Sequence, residues 1–167
     1  MKDEPLASEF TISRIFDAPR QLVWDAWTQA ERLAGWWGPK GFTIKVAKLD
    51  LSPGGTFHYS MVTPDGHEMW GRFVYQEIAP PERLVLVNSF SDAAGNIARA
   101  PFSQEWPLEV RNVMTLSENS GKTTLVLRGS PVNATPEERR KFDSFHQSMN
   151  QGFKGTFDQL TAYLASQ

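Results

Sequence analysis

The chain has 167 residues, 40% hydrophobic and 22% charged, which is enough length and apolar content to bury a sizeable core in one domain over 1–167. A net charge of -2 excludes a general phosphate-backbone binder, so nucleic acid is not an expected partner. With no cysteine, disulfides, thiol nucleophiles, zinc knuckles and iron–sulfur clusters are excluded together.

The opening Met1-Lys2-Asp3-Glu4-Pro5 is charged and has no apolar stretch of the signal-peptide kind. The longest strongly apolar run, 84–87, is far too short to cross a bilayer, so a cytoplasmic protein without membrane insertion is expected. The 6 Trp and 11 Phe are a large ring area for this length and must line a core, an open cavity, or both.

Residues 8–16 alternate Phe10, Ile12 and Arg14 against Thr11, Ser13 and Ile15, the period of a strand. Pro19 suits the first turn of a helix carrying Val23, Trp24 and Trp27 on one face. Thr28 and Glu31 have the spacing of a capping box for a second short helix that stops at Gly35. Strands follow over 43–51, 56–62, 70–78, 83–90, 108–116 and 123–129. Pro53-Gly54-Gly55, Pro64-Asp65-Gly66, Pro80-Pro81 and Glu118-Asn119-Ser120-Gly121 mark turns between them. The 91–107 loop is long enough to have a task, and reads as a flap beside a cavity with Phe102 and Trp106 turned inward.

Thr135, Pro136 and Glu138 then form a helix start. Phe142, Phe145, Met149, Phe153, Leu160 and Leu164 share one stripe at about 100° per residue, which predicts a closing helix of roughly 28 residues. Strand, two short helices, about six strands and one long helix make an α+β architecture, with the helix covering one face of an antiparallel sheet.

Most chemical motifs fail. Gly121-Lys122-Thr123 lacks the earlier glycine of a phosphate loop, since Leu116 stands there, and reads as a hairpin turn. Asn133-Ala134-Thr135 is a formal glycosylation sequon, but Thr135 is better used as a helix cap. His58, His67 and His146 have no metal-ligand spacing, and no metal or other cofactor is implied. His58 should face away from Phe57 and Tyr59, and His67 should be solvated beside its turn.

The string Ala30-Glu31-Arg32-Leu33-Ala34-Gly35-Trp36-Trp37-Gly38-Pro39 resembles the W-W-G-P region of the activator of heat-shock-protein-90 ATPase homologue-like family. Leu51-Ser52-Pro53-Gly54-Gly55-Thr56-Phe57, Pro64-Asp65-Gly66, 71–78 and Pro80-Pro81-Glu82-Arg83-Leu84-Val85 continue the likeness, which runs on through Gly152-Phe153 to Tyr163-Leu164. That family lies in the START-like (SRPBCC) superfamily, alongside birch pollen allergen-like proteins and polyketide cyclases. The resemblance implies a helix-grip fold, a curved antiparallel sheet of about six to seven strands wrapped round the C-terminal helix, with an apolar ligand held between them. The chaperone activator carries a separate N-terminal region, and the first strand here begins within ten residues, so a chaperone partner is not expected.

Alternation nominates inward residues for such a cavity: Phe57, Tyr59 and Met61; Phe73 and Tyr75; Val110, Asn112 and Met114. Asn112 is either a satisfied core amide or a polar contact for ligand. Trp36 and Trp37 either fill the core or stand at the cavity mouth. Met149 and Phe153 face the cavity from the helix, and His146 lies about 40° from the stripe centre, as a core histidine or the polar fixture of the pocket. Either role buries the ring and favours its neutral form.

The primary expectation is a binder of a small apolar or aromatic molecule. A cyclase, dehydratase or hydrolase drawing on Tyr59, Tyr75, Glu77 or His146 is the second reading. The third is a protein-interaction module using Trp36, Trp37 and the 91–107 loop. A homodimer is left open.

Overall fold

The computed structural model describes residues 9–167, so the Met1–Pro5 start and Ser8 lie outside the described residues. Seven antiparallel strands form one sheet in the order β1-β7-β6-β5-β4-β3-β2. They are β1 (Phe10–Phe16), β2 (Thr43–Leu49), β3 (Thr56–Val62), β4 (Glu68–Ala79), β5 (Arg83–Ser91), β6 (Val110–Asn119) and β7 (Lys122–Pro131). Helices α1 (Arg20–Thr28) and α2 (Ala30–Leu33) follow β1, and α3 (Pro136–Ser144) and α4 (His146–Ala165) end the chain. This is the helix-grip arrangement. Among the described residues no helix is long and apolar enough to cross a membrane.

Turn chemistry sets the register. Ser120 and Gly121 take φ of 54° and 78°, the pair of positive values that a two-residue hairpin needs, and Asn119 then pairs Lys122 to start the β6–β7 ladder. The core gathers where the inward stripe of α4 meets the sheet. Phe157, Leu160 and Leu164 pack with Phe16, Phe57, Leu125 and the α1 residues Val23, Trp24 and Trp27. Arg14 ties β1 to α4 from the side, donating to the Lys154 carbonyl at 3.2 Å and reaching Asp158 Oδ1 at 2.9 Å.

Three local expectations need correction. The closing helix is not continuous, because Phe145 (φ -101°, ψ 3°) separates α3 from α4. The break lets Phe142 bury fully beside Phe10 and Val110, while the Phe145 ring turns to Phe102 and Trp106. Thr28 caps nothing: its hydroxyl donates back to the Trp24 carbonyl at 2.8 Å, and Gln29 occupies the start of α2 without a side-chain cap. The 92–99 stretch is no loose flap either. It folds back as a hairpin, with Ser91 bridging Ile97, and is pinned outside the sheet by His58 Nε2 on the Asp92 carbonyl (3.1 Å) and Arg72 Nη1 on the Gly95 carbonyl (2.9 Å).

The start of α3 carries a complete capping box. Glu138 N donates to Thr135 Oγ1 (3.1 Å), and Thr135 N donates to Glu138 Oε1 (3.0 Å). The Arg99 guanidinium, 2.6 Å from Glu138 Oε2, is the leading cause that holds this carboxyl below its usual range; the Thr135 amide adds to it. A depressed folded value means that the unfolded chain binds the proton more readily. Glu138 therefore stabilises above its ordinary value of 4.5, and that stability drains away as pH falls through the folded value. In urea unfolding between about pH 3 and 6, wild type should lose stability on acidification more steeply than Glu138→Gln. Parallel profiles would contradict this.

Candidate functional site

A two-lobed cleft opens between the sheet and α4. The first lobe, about 260 Å³, is bounded by Trp37, Pro39, Tyr59, Met61, Phe90, Met149 and Phe153, with Asn88 and Thr156 among its polar members. The second, about 320 Å³, runs along Phe102, Trp106, Val110, Asn112, Phe145 and Ser148, and shares Asn88, Phe90, Met149 and Phe153 with the first. Between them lies a small inner chamber of about 20 Å³, lined by Trp27, Trp37, Phe73, Leu86, Met114 and Leu127 with Asn88 and Asn112.

The backbone explains why the first lobe exists. Gly38 has φ of +98°, and a Cβ there would sit 2.8 Å from Ile44, so only glycine makes this turn. The turn aims its carbonyls at α4. Gln159 Nε2 donates to the Trp36 and Gly38 carbonyls (2.9 and 2.8 Å), and Thr156 Oγ1 donates to Gly38 O (3.2 Å). Helix and loop are thereby pinned, with Trp37 held over the cleft. Its ring meets Phe73 edge-on at 5.2 Å and Trp36 at 5.7 Å. Trp36 is buried, with its indole donating to the Ala26 carbonyl at 3.0 Å.

Across the sheet, Tyr59 pairs Gly71 and Gly71 pairs Phe90. A Cβ on Gly71 would lie 2.6 Å from the Tyr59 hydroxyl, so the phenol occupies the space that this glycine leaves. Burial pushes the Tyr59 phenol above its ordinary value, while the neighbouring Trp37 and Asn88 side chains pull the other way. The net shift keeps the hydroxyl protonated, as a neutral donor. Burial and then the charge of Tyr59 push Tyr75 up as well. Apart from hydroxyls, amides and indoles, the lobes and chamber are apolar, and among the described residues no carboxylate, imidazole, amine or guanidinium borders any of the three.

The profile of a family described as activator of Hsp90 ATPase homolog 1-like protein matches residues 17–165. The chain belongs to this family. The solution structure of an Arthrobacter aurescens protein is 25% identical with a TM-score of 0.80, covering 96% of this chain and 88% of that one. The crystal structure of the AHSA1 protein from Silicibacter pomeroyi is 18% identical with a TM-score of 0.71, covering 94% and 97%. DynU16, a putative protein in the dynemicin biosynthetic locus, is 20% identical with a TM-score of 0.65, covering 95% of this chain and 47% of that one. No match to a curated protein was found.

In this family member the residues nominated from sequence divide by place. Trp37, Tyr59, Met61, Met149 and Phe153 border the first lobe, and Phe102, Trp106, Val110 and Asn112 border the second. Phe73 and Met114 back the inner chamber. Phe57 and Tyr75 are buried in the core beside the cleft, not at its walls. Trp36 fills core below Trp37, and its other side borders a shallow depression near Tyr163.

Two expectations fail. Phe102 is 53% exposed, its ring stacked on Phe145 at 5.7 Å, so it stands at the rim and is not turned inward. His146 does not reach the cleft. It opens α4 with its side chain 30% exposed, edge-on to Phe10 (5.6 Å) and Phe142 (5.3 Å), and Asp143 lies 3.9 Å away. It faces the sheet through Phe10, as one of its two readings had it, and only its pocket reading fails. Glu77, named for an enzyme, lies outside and pairs with Arg83 at 3.1 Å.

Trp27, Asn88, Phe90 and Thr156 were missed. For β5 the signal was present, since Leu84, Leu86, Asn88 and Phe90 alternate with one polar member, the pattern that singled out Asn112 on β6.

Proposed function

We propose that the protein binds a small, neutral, largely aromatic or apolar molecule in the cleft between the sheet and α4. The observation that carries this reading is the lining itself: aromatic and methionine walls, a few neutral hydrogen-bonding groups, and no charged side chain among the described residues. Ligand sites typically combine an apolar wall with a few convergent polar groups in about 300–1,000 Å³, and the lobes of about 260 and 320 Å³ fall near that range. A charged ligand would enter with no counter-charge and lose its hydration uncompensated.

Binding is favoured over catalysis for the same reason. General acid–base work needs a group that exchanges protons near the working pH. Tyr59, whose phenol burial moves upward, can donate a hydrogen bond but is poorly placed to give up its proton. The fold shared with DynU16 is compatible with a small-molecule role, although at 20% identity that likeness carries the fold alone.

Native mass spectrometry of the full chain purified from its own host tests the reading, followed by binding of neutral naphthalenes read on the methyl signals of Met61 and Met149. A neutral adduct, or saturable shifts confined to cleft residues, is the expected result. A ligand-free mass together with unmoved methyl signals at saturating probe would overturn it.

A further inference from the structure

We propose that the protein selects ligands carrying a neutral hydrogen-bond acceptor, a carbonyl oxygen or its equivalent, which enters the inner chamber between Trp27, Asn88 and Asn112. This rests on the binding reading above and specifies which ligands the site takes.

The chamber of about 20 Å³ has room for about one small polar group. Its walls are mostly hydrocarbon and aromatic ring. Trp27 borders it, is 2% exposed, and has an indole Nε1 that is buried with no hydrogen-bond partner. An indole nitrogen can only donate, and no acceptor among the described residues meets this N–H. If the site needed only volume, a phenylalanine would supply it without a stranded donor. Trp36, whose ring centre is 5.0 Å from that of Trp27, shows the ordinary solution, with its N–H bonded to the Ala26 carbonyl.

Two amides converge on the same chamber. In the β5–β6 register Leu86 faces Asn112 and Asn88 faces Val110, which places the asparagines diagonally on one sheet face. Asn88 Nδ2 donates to the Arg72 carbonyl at 3.2 Å, and the same side chain stands beside the Tyr59 hydroxyl. Asn112 is held more loosely, since its Nδ2 reaches the Val110 carbonyl only at 3.5 Å. Its oxygen lies over Gly129, 2.8 Å from where a Cβ would stand, so a glycine across the strand makes room for this amide to turn. The Trp27 indole N–H and the loosely held Asn112 amide form a donor set for a single oxygen, with Asn88 beside them. Among the described residues no cationic side chain borders the chamber, which disfavours carboxylate and phosphate oxygens and leaves the neutral acceptor. Trp37 Nε1 is also buried without a partner, but its indole lies beside the Tyr59 hydroxyl and is not needed for this set.

The test uses the full chain labelled with ¹⁵N and two probes of matched shape: 2-acetylnaphthalene, which has the oxygen, and 2-isopropylnaphthalene, which lacks it. The Trp36 indole N–H serves as an internal standard for a bonded donor. On adding the acetyl probe the Trp27 indole proton should move downfield toward the Trp36 position, and the isopropyl probe should leave it in place. The acetyl probe should bind about tenfold more tightly, the scale of one or two hydrogen bonds that water no longer competes for. Trp27→Phe should erase that preference, read as the ratio of the two probes' affinities within the variant. The wild-type resonances decide the matter if this variant does not fold. Equal binding of both probes with no Trp27 shift would overturn the proposal and leave the cleft reading standing. Binding of neither would overturn both. A Trp27 proton already downfield, cross-relaxing with a water that the acetyl probe fails to displace, would make the chamber a hydration site and overturn the proposal alone.

Discussion

Replacing Phe157 with alanine should lower the unfolding free energy by about 3–5 kcal/mol, the cost of emptying a large aromatic site in a core that relaxes only partly. The residue is fully buried, meets Phe16 edge-on at 6.0 Å and Phe153 at 5.7 Å, and joins the α4 stripe to β1 and the sheet. For a chain of this length the midpoint should fall by roughly 10 °C. Thermal and urea unfolding measure it. Phe102→Ala is the control: that ring is 53% exposed, and its removal should cost well under about 1 kcal/mol. Similar losses in the two variants would mean that α4 does not close the core as described.

Gly71→Ala should have the second large effect, about 1–3 kcal/mol from overpacking. The added methyl would lie 2.6 Å from the Tyr59 hydroxyl and 2.8 Å from the ring carbon bearing it, and the phenol borders the first lobe, into which it would be pushed. Stability and binding should therefore fall together, which a remote core defect would not produce. In a Tyr59→Leu background the same glycine change should cost much less, because the clashing atoms are gone. Neighbouring sites of this kind are expected to be non-additive. Additive losses in a double-mutant cycle by urea unfolding would refute the overlay of ring on glycine.

Residues acting through local periodicity could be read from the sequence. Alternation placed Phe57, Tyr59, Met61, Phe73, Tyr75, Val110 and Met114 on the inward sheet face, and all are buried. The stripe carrying Phe142 and Leu160 placed a covering helix on that face, and both residues are fully buried. The W-W-G-P string and its companions pointed to the family and, through it, to the fold. A strand's period of two and a helix's period near 3.6 report which face turns inward, and they do so without reference to the partner.

What lies opposite each face is a different matter, and only the tertiary structure decided it. Phe57 and Tyr59 sit on one face of one strand, yet Tyr59 borders the cleft and Phe57 does not, because α4 stands off from the sheet at one end and packs tightly at the other. Phe145 interrupts a helix whose stripe looks unbroken, since burying Phe142 beside Phe10 and Val110 and Phe145 against Phe102 and Trp106 requires two axes. His146, the residue after that break, packs on Phe10 and Phe142 and does not border the cleft. Trp27 read as one more core ring on α1, and its unpartnered N–H emerged only once Asn88 and Asn112 from two other strands stood beside the same chamber. Sequence pattern determined which residues are inside; the spacing between packed layers, which no local pattern encodes, determined where the inside is left open.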